Sequence, residues 1–392
     1  MAFDFAWVLL GLPLAFGLGW LASRFDVRQM RLENRQAPKA YFRGLNFLLN
    51  EQQDQAIDAF IEAVQNDPDT SELHFALGNL FRRRGEYERA VRVHEHLLSR
   101  GDLSSADRAR AQHALALDFL KAGLLDRAEA ALQKLEGTAF ESQARVALLA
   151  NYERSRDWAH AAKIAQQLEN TDQGSFSPRL AHYLCEQAAA KVSAGELTQA
   201  AELLRLAMST APSTPRPRME LSRVLEQMAD PTAAYDTLAQ ALTLAPAATP
   251  LFASQLAHAA IASNRAQQAL TALKAAYAQR ASLDVLEAIV TLEAALPASS
   301  ESPASPHASA RDWYVHHLER EPSLVAAAKW IAGEKLEHEQ FHPQVQRALD
   351  HAVKPLTRYR CAACGFEAKQ HFWQCPGCQT WDSYPARRVE EL

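Results

Sequence analysis

The sequence predicts an all-α protein. It should be a superhelical array of helical repeats, preceded by an N-terminal transmembrane helix and followed by a small C-terminal metal-binding domain. Three observations carry this expectation. Small residues recur with a period of 34: Gly44 and Gly78, Ala56 and Ala90, Ala200 and Ala234. An unbroken uncharged run extends from Phe5 to Ala22. Four of the 5 cysteines fall between Cys361 and Cys378. Composition agrees, since Ala and Leu dominate, Gly is sparse and β-branched runs are nearly absent. The 392 residues are enough for two or three domains. With 41 basic against 46 acidic residues the net charge is −5, so no broad basic field exists to hold nucleic acid.

Residues 1–23 read as the membrane anchor. At a rise of about 1.5 Å per residue, the run FAWVLLGLPLAFGLGWLA spans roughly 27 Å, close to a hydrocarbon core. Trp7 and Trp20 sit near its ends, where amphipathic rings favour the interface, and Pro13 kinks a span without excluding it. A cleaved signal peptide would need a basic leader, whereas Asp4 is the charge that precedes the run. A buried soluble helix fits the one-sided basic flank poorly. Arg24, Arg28, Arg31, Arg35 and Lys39 all follow the span, the first four within a juxtamembrane basic segment at 24–36. The positive-inside rule therefore places residues 24–392 in the cytoplasm, where thiols stay reduced.

The array is expected over 37–296. In its first unit Gly44, Ala56, Phe60, Ala63 and Pro68 occupy small, small, aromatic, small and proline positions. This pattern resembles the tetratricopeptide (TPR) repeat, in which small residues let two antiparallel helices approach and a late proline ends the second. Ala90, Ala128, Ala161, Ala200, Ala234 and Ala269 continue the series, each preceded by a turn and a bulky residue or by the same helical register. Unequal spacings around the third to fifth units imply unequal turns. An array of this kind offers a long concave face for a peptide or protein. Asn79, Arg82 and Arg83 are expected on a groove-facing helix. Arg82-Arg83-Arg84 is a candidate clamp for an acidic partner, although an ordinary solvated face is the favoured reading. Met219, Met228 and Cys185 are expected in the core.

Residues 297–310 (PASSESPASPHASA) read as a flexible linker or long loop. Helices are expected again over 311–336 and 343–353, within a capping region at 311–356. Trp313, Tyr314, Leu318, Leu324, Val325 and Trp330 should bury one face of it. His338-Glu339-Gln340-Phe341-His342 matches the H-E-x-x-H pattern of metalloproteases. Pro343 directly follows the second histidine and pushes it out of α geometry, so the two imidazoles should not share a helical face. The other histidines, His316 and His317 included, show no ligand spacing and default to the surface. No phosphate loop, nucleophile elbow or carboxylate constellation is apparent, and no catalytic residue is assigned.

Residues 357–392 hold the chemistry. Cys361-Ala-Ala-Cys364 and Cys375-Pro-Gly-Cys378 are two knuckles, each able to turn both sulfurs toward one point. Facing each other they make a closed tetrahedral thiolate site for zinc or iron. A disulfide needs an oxidising compartment, and a redox C-x-x-C should come singly at a strand-to-helix junction. Tyr359-Arg-Cys361-Ala-Ala-Cys364-Gly365-Phe366 and Cys375-Pro376-Gly377-Cys378 resemble the two knuckles of rubredoxin-type metal domains. The spacer is shorter, and Gln379 stands where rubredoxins usually carry glycine. A short spacer leaves little core, which favours a structural site docking a β-ribbon onto the helices. Phe366, Phe372, Trp373 and Trp381 are expected around the sulfurs.

Anchor, TPR array and rubredoxin-like tail, in that order, resemble the lipopolysaccharide assembly protein B family of Gram-negative bacteria. The resemblance implies an inner-membrane, single-pass adaptor that is not an enzyme. It would regulate lipopolysaccharide synthesis by promoting proteolysis of the deacetylase that commits precursor to lipid A, acting with a membrane-bound AAA protease. Other lipopolysaccharide assembly proteins are implied as partners. The family's metal ligands fall on Cys361, Cys364, Cys375 and Cys378, where one iron ion is usual and thiolate chemistry alone also accepts zinc. The alternative is a redox or metal-sensing TPR scaffold serving other inner-membrane partners.

Overall fold

A computed structural model describes residues 39–40, 42–66, 70–169, 174–296, 306–333 and 339–392, together with Phe16, Gly17 and Trp20. The rest of the expected span at 5–22 lies outside this set. No helix of the described residues is long and apolar enough to cross a membrane.

The chain divides into two compact units, Met1–Asp157 and Trp158–Leu392. The first contains α1 (42–49), α2 (Gln53–Asn66), α3 (Ser71–Arg83), α4 (Tyr87–Ser99), α5 (Ser105–Ala122), α6 (Leu125–Gln133) and α7 (Glu141–Ser155). The second contains α8 (Trp158–Glu169), α9 (Ser177–Ser193), α10 (Leu197–Thr210), α11 (Arg216–Gln227), α12 (Pro231–Leu244), α13 (Thr249–Ala262), α14 (Ala266–Gln279) and α15 (Leu283–Ala295). It continues through α16 (Pro306–Arg320), α17 (Leu324–Ala332) and α18 (His342–Val353) to a two-stranded ribbon, β1 (Tyr359–Arg360) and β2 (Glu367–Ala368).

The periodic small residues lie where helices cross. Ala56, Ala90, Ala128, Ala161, Ala200, Ala234 and Ala269 are all fully buried. Gly78 has the least room, since a Cβ there would stand 2.5 Å from Cε1 of His94. The turns after α3, α5, α7, α9, α11 and α13 share one geometry. In each, a residue with positive φ is followed by one whose N–H donates back to the helix end, as from Glu86 to Phe81 O at 2.9 Å and from Asp230 to Leu225 O at 2.9 Å. Gly85, Gly123 and Gly195 hold that left-handed position without steric cost, whereas Arg156, Ala229 and Asn264 adopt it at φ 58, 61 and 57°. The repeats have drifted at the turn residue while keeping the turn.

Several expectations are corrected. Arg82 is not a free cation on a solvated face: it donates to Asp118 at 2.9 Å, to Asn79 Oδ1 at 2.5 Å and to Ala114 O at 3.2 Å. Asp118 is fully buried and also accepts from Nδ1 of the buried His94, at 2.5 Å. Arg84 pairs with Asp54 and Glu86. Met219 and Cys185 are buried as expected, but Met228 follows the end of α11 and is largely exposed. Histidines are not confined to the surface: His74, His94, His182 and His317 are buried, and His317 meets the Tyr277 hydroxyl at 2.7 Å.

Helix α16 starts at Pro306, inside the stretch expected to be a linker, because a proline is tolerated in the first turn of a helix. The single helix expected over 311–336 is two helices. Pro322 disfavours α geometry at Glu321, and Ser323 then caps α17 by accepting from Ala326 N at 2.9 Å. Leu283, Val325 and Ala326 form the buried centre here, with Tyr314, Leu318, Val353 and Leu356 packed on it, while Leu324 is exposed.

Candidate metal centre

Strands β1 and β2 pair antiparallel, Tyr359 with Ala368 and Arg360 with Glu367. Beyond β1 the chain turns tightly: Cys361 N donates to Phe366 O at 2.9 Å and Gly365 N to Cys361 O at 2.9 Å, with Gly365 at φ 77°. The second knuckle repeats this pattern, Cys375 N donating to Thr380 O at 2.9 Å and Gln379 N to Cys375 O at 2.8 Å. Gln379 takes the left-handed position, φ 62°, that Gly365 holds in the first knuckle. Its departure from the rubredoxin pattern therefore changes the residue and not the turn.

All four expected ligands come together. The sulfurs of Cys361, Cys364, Cys375 and Cys378 lie within 4.8 Å of one another, Cys361 to Cys378 at 3.8 Å and Cys364 to Cys375 at 3.7 Å. A tetrahedron of sulfurs around an ion with bonds of about 2.3 Å has edges of about 3.8 Å. The thiols are free, so the donor set fits a zinc or iron ion. The hydroxyls of Ser383 and Thr380 stand 3.3 Å from the sulfurs of Cys361 and Cys378, and that of Tyr384 stands 4.0 Å from Cys375.

These neighbours set the acidities. The Ser383 hydroxyl holds the Cys361 thiol down at about 6, and Thr380 lowers that of Cys378. At Cys364 the Phe366 backbone contact also lowers the thiol, but partial desolvation and the three neighbouring sulfurs outweigh it and push the thiol up to about 12. Crowded thiolates resist a full set of negative charges, and a bound cation is what removes that repulsion.

The aromatic residues do not all act as expected. Phe372 packs on the cluster of Tyr359, Cys361, Cys375 and Tyr384, and so does Leu251 of α13. Phe366 is partly exposed. Trp373 and Trp381 turn away from the sulfurs onto α9. Trp381 stacks on His182 with ring centres 4.8 Å apart, and meets Tyr183 edge-on at 5.8 Å. Trp373 lies 5.8 Å from His182, whose Nε2 reaches the Asp382 carboxylate at 2.9 and 3.0 Å.

The last residues complete the docking. Glu391 accepts from Leu283 N at 2.6 Å, at the start of α15. Glu390 accepts from Leu324 N at 2.5 Å and Val325 N at 3.1 Å, at the start of α17. Each carboxylate satisfies amides that a helix leaves unpaired and lies at the positive end of its dipole. Arg388 forks onto Asp284, with Nη2 2.7 Å from Oδ1. His182, Asp382, Glu390 and Glu391 were not legible as site residues, because none belongs to a local spacing.

The described part of the metalloprotease match, Glu339–His342, crosses from one helical element into another. Glu339–Phe341 is a short 3₁₀ turn, and His342 opens α18 with its Nε2 3.2 Å from Ile331 O. His338 lies outside the described residues. His342 is itself the first residue of α18, so Pro343 does not push it out of α geometry: it stands at the start of a helix, where a proline is tolerated.

Residues 359–384 match the family described as Rubredoxin metal binding domain, and residues 73–109 match Tetratricopeptide repeat. Lipopolysaccharide assembly protein B of Escherichia coli strain K12 is 28% identical, over 97% of this chain and 98% of that protein. The chain resembles lipopolysaccharide assembly protein B from end to end. The Haemophilus influenzae protein of the same name is 25% identical, over 95% of this chain and 96% of the relative. Among solved structures, a tetratricopeptide repeat protein from Parabacteroides merdae aligns at 13% identity with a TM-score of 0.35, over 66% of this chain and 99% of its own.

Proposed function

We propose that this chain is a membrane-tethered, non-catalytic adaptor in lipopolysaccharide assembly. One observation carries the reading: the similarity to lipopolysaccharide assembly protein B spans array and tail alike, and the four sulfurs of the tail converge as a closed metal site needs. The helical repeats supply protein-binding surface, and Cys361, Cys364, Cys375 and Cys378 hold one iron or zinc ion that stiffens the tail. Residues 1–23 anchor the chain once across the inner membrane, leaving residues 24–392 in the cytoplasm. The clients are the lipid A-committing deacetylase and a membrane-bound AAA protease, which the adaptor brings together so that the deacetylase is degraded. The test is a pulse-chase of the deacetylase in cells depleted of this protein. Its half-life should lengthen several-fold, and an unchanged half-life rejects the adaptor role.

Metal sensing is a second reading, favoured by the exposure of Cys364 at the rim of the centre. Protein purified anaerobically with only inert zinc at the site would count against it.

A further inference from the structure

We propose that metal binding and the docking of the tail onto α9 are one coupled event, transmitted by the turn Thr380–Tyr384. The inference stands on geometry and is independent of any role in lipopolysaccharide assembly.

The residues of this turn divide between two sides. The hydroxyls of Thr380, Ser383 and Tyr384 stand against the sulfurs of Cys378, Cys361 and Cys375. Between them, Trp381 and Asp382 face α9, where the indole covers His182 and the carboxylate holds Nε2 of the same ring. The backbone ties both sides together: Asp382 N donates to Trp373 O at 2.8 Å, and Ala362 N, inside the first knuckle, donates to Ser383 O at 2.7 Å. Asp382 is itself held at φ 51°, a conformation that surrounding contacts must maintain. A five-residue turn cannot relax on the sulfur side and keep its register on the α9 side.

His182 makes the coupling energetic. It is fully buried, and among the described residues its Nδ1 has no hydrogen-bond partner, so Asp382 supplies the polar contact of the ring. Releasing the turn would leave a buried imidazole unpaired and strip the cover from Tyr183 and Trp158, the latter edge-on to Trp381 at 6.2 Å. The same release frees Glu390 and Glu391 from the starts of α17 and α15. Metal loss therefore uncovers an aromatic face on the helices and uncaps two of them.

Coupling of this kind is reciprocal, so damage on α9 must weaken metal binding by the factor that metal loss weakens docking. The experiment measures the partition of zinc at equilibrium between the full-length, zinc-loaded protein and a chromogenic chelator. Wild type is compared with His182→Ala, Asp382→Asn and Arg360→Ala. The first two touch no sulfur. Asp382→Asn preserves shape at a half-exposed position, so it should fold. Arg360 pairs with Glu367 on the ribbon and serves as the control within the tail. His182→Ala and Asp382→Asn should bind zinc about 5- to 150-fold more weakly in equilibrium competition with the chelator, the usual span for coupled sites, with Arg360→Ala close to wild type. The converse measurement is hydrogen exchange: removing zinc from wild type should raise exchange at the amides of Leu283, Leu324 and Val325. Wild-type zinc affinity in Asp382→Asn, or unchanged exchange at these amides after zinc removal, would overturn the coupling.

Discussion

The helical repeats and the metal tail solve the same problem of order in opposite ways. Within each unit the repeat helices pack on their sequence neighbours, and the close approach is secured by an alanine or glycine repeated every few tens of residues. The tail has two strands of 2 residues each and a buried cluster of Tyr359, Cys361, Cys375 and Tyr384. Its remaining contacts reach helices far away in sequence: α9, α13, α15 and α17. Stability in the repeats is therefore distributed, and a defect stays near its site. Order in the tail rests on four converging sulfurs that an ion would close and on a set of distant anchors, and a defect anywhere should be felt throughout.

The largest effect expected from this contrast is that of Cys375→Ser. Three thiolates cannot close the tetrahedron, so bound metal should fall well below one equivalent and the tail should lose its protection against proteolysis. Helical circular dichroism should hardly change, because the helices are held by their own crossings and lose only the cover on α9 and the caps of α15 and α17. Loss of most of the helical signal would show that the repeats lean on the tail, and the contrast would fail.

Phe60→Ala sharpens the same contrast from the other side. Phe60 is fully buried between α1 and its neighbours, against Gly44. Truncating it should cost about 3–5 kcal/mol, read as an earlier urea transition of the first unit. Metal content and zinc release should stay at wild-type values. A variant that sheds its metal would mean that the two regions are not separately stabilised.

How much of each region was legible follows from the same difference. The repeats announced themselves because the steric need for a small side chain at a helix crossing recurs at fixed spacing. The ligands announced themselves because two sulfurs on one tight turn require C-x-x-C. The docking left no such mark. His182 and Asp382 are 200 positions apart, and neither residue type nor neighbour distinguishes them from surface groups. His94 and His317 were misplaced for a related reason: a buried histidine is acceptable once paired, and Asp118 and Tyr277 are partners that only the fold brings near. Trp373 and Trp381 were placed with the right domain and on the wrong face, since the side a residue takes along a turn of irregular φ cannot be read from spacing.

The smallest effect is also the finest probe. Ala229 in the repeats and Gln379 in the tail both sit at positive φ, 61 and 62°, where glycine sits in equivalent turns. A left-handed L-residue costs roughly 1–2 kcal/mol, partly offset by the extra freedom glycine brings to the unfolded chain. Ala229→Gly should therefore stabilise the second unit by about 0.5–1 kcal/mol in urea unfolding, with zinc release unchanged. Gln379→Gly relieves the same strain in a turn that carries two ligands, and gives up a hydrogen bond from its amide to Pro376 O. Its gain should appear instead as slower zinc release. Equal shifts of the urea transition in both variants, with zinc release unmoved, would mean that strain in the knuckle is not felt at the sulfurs. The tail would then be stabilised by its parts, as the repeats are, and not as a single closed unit.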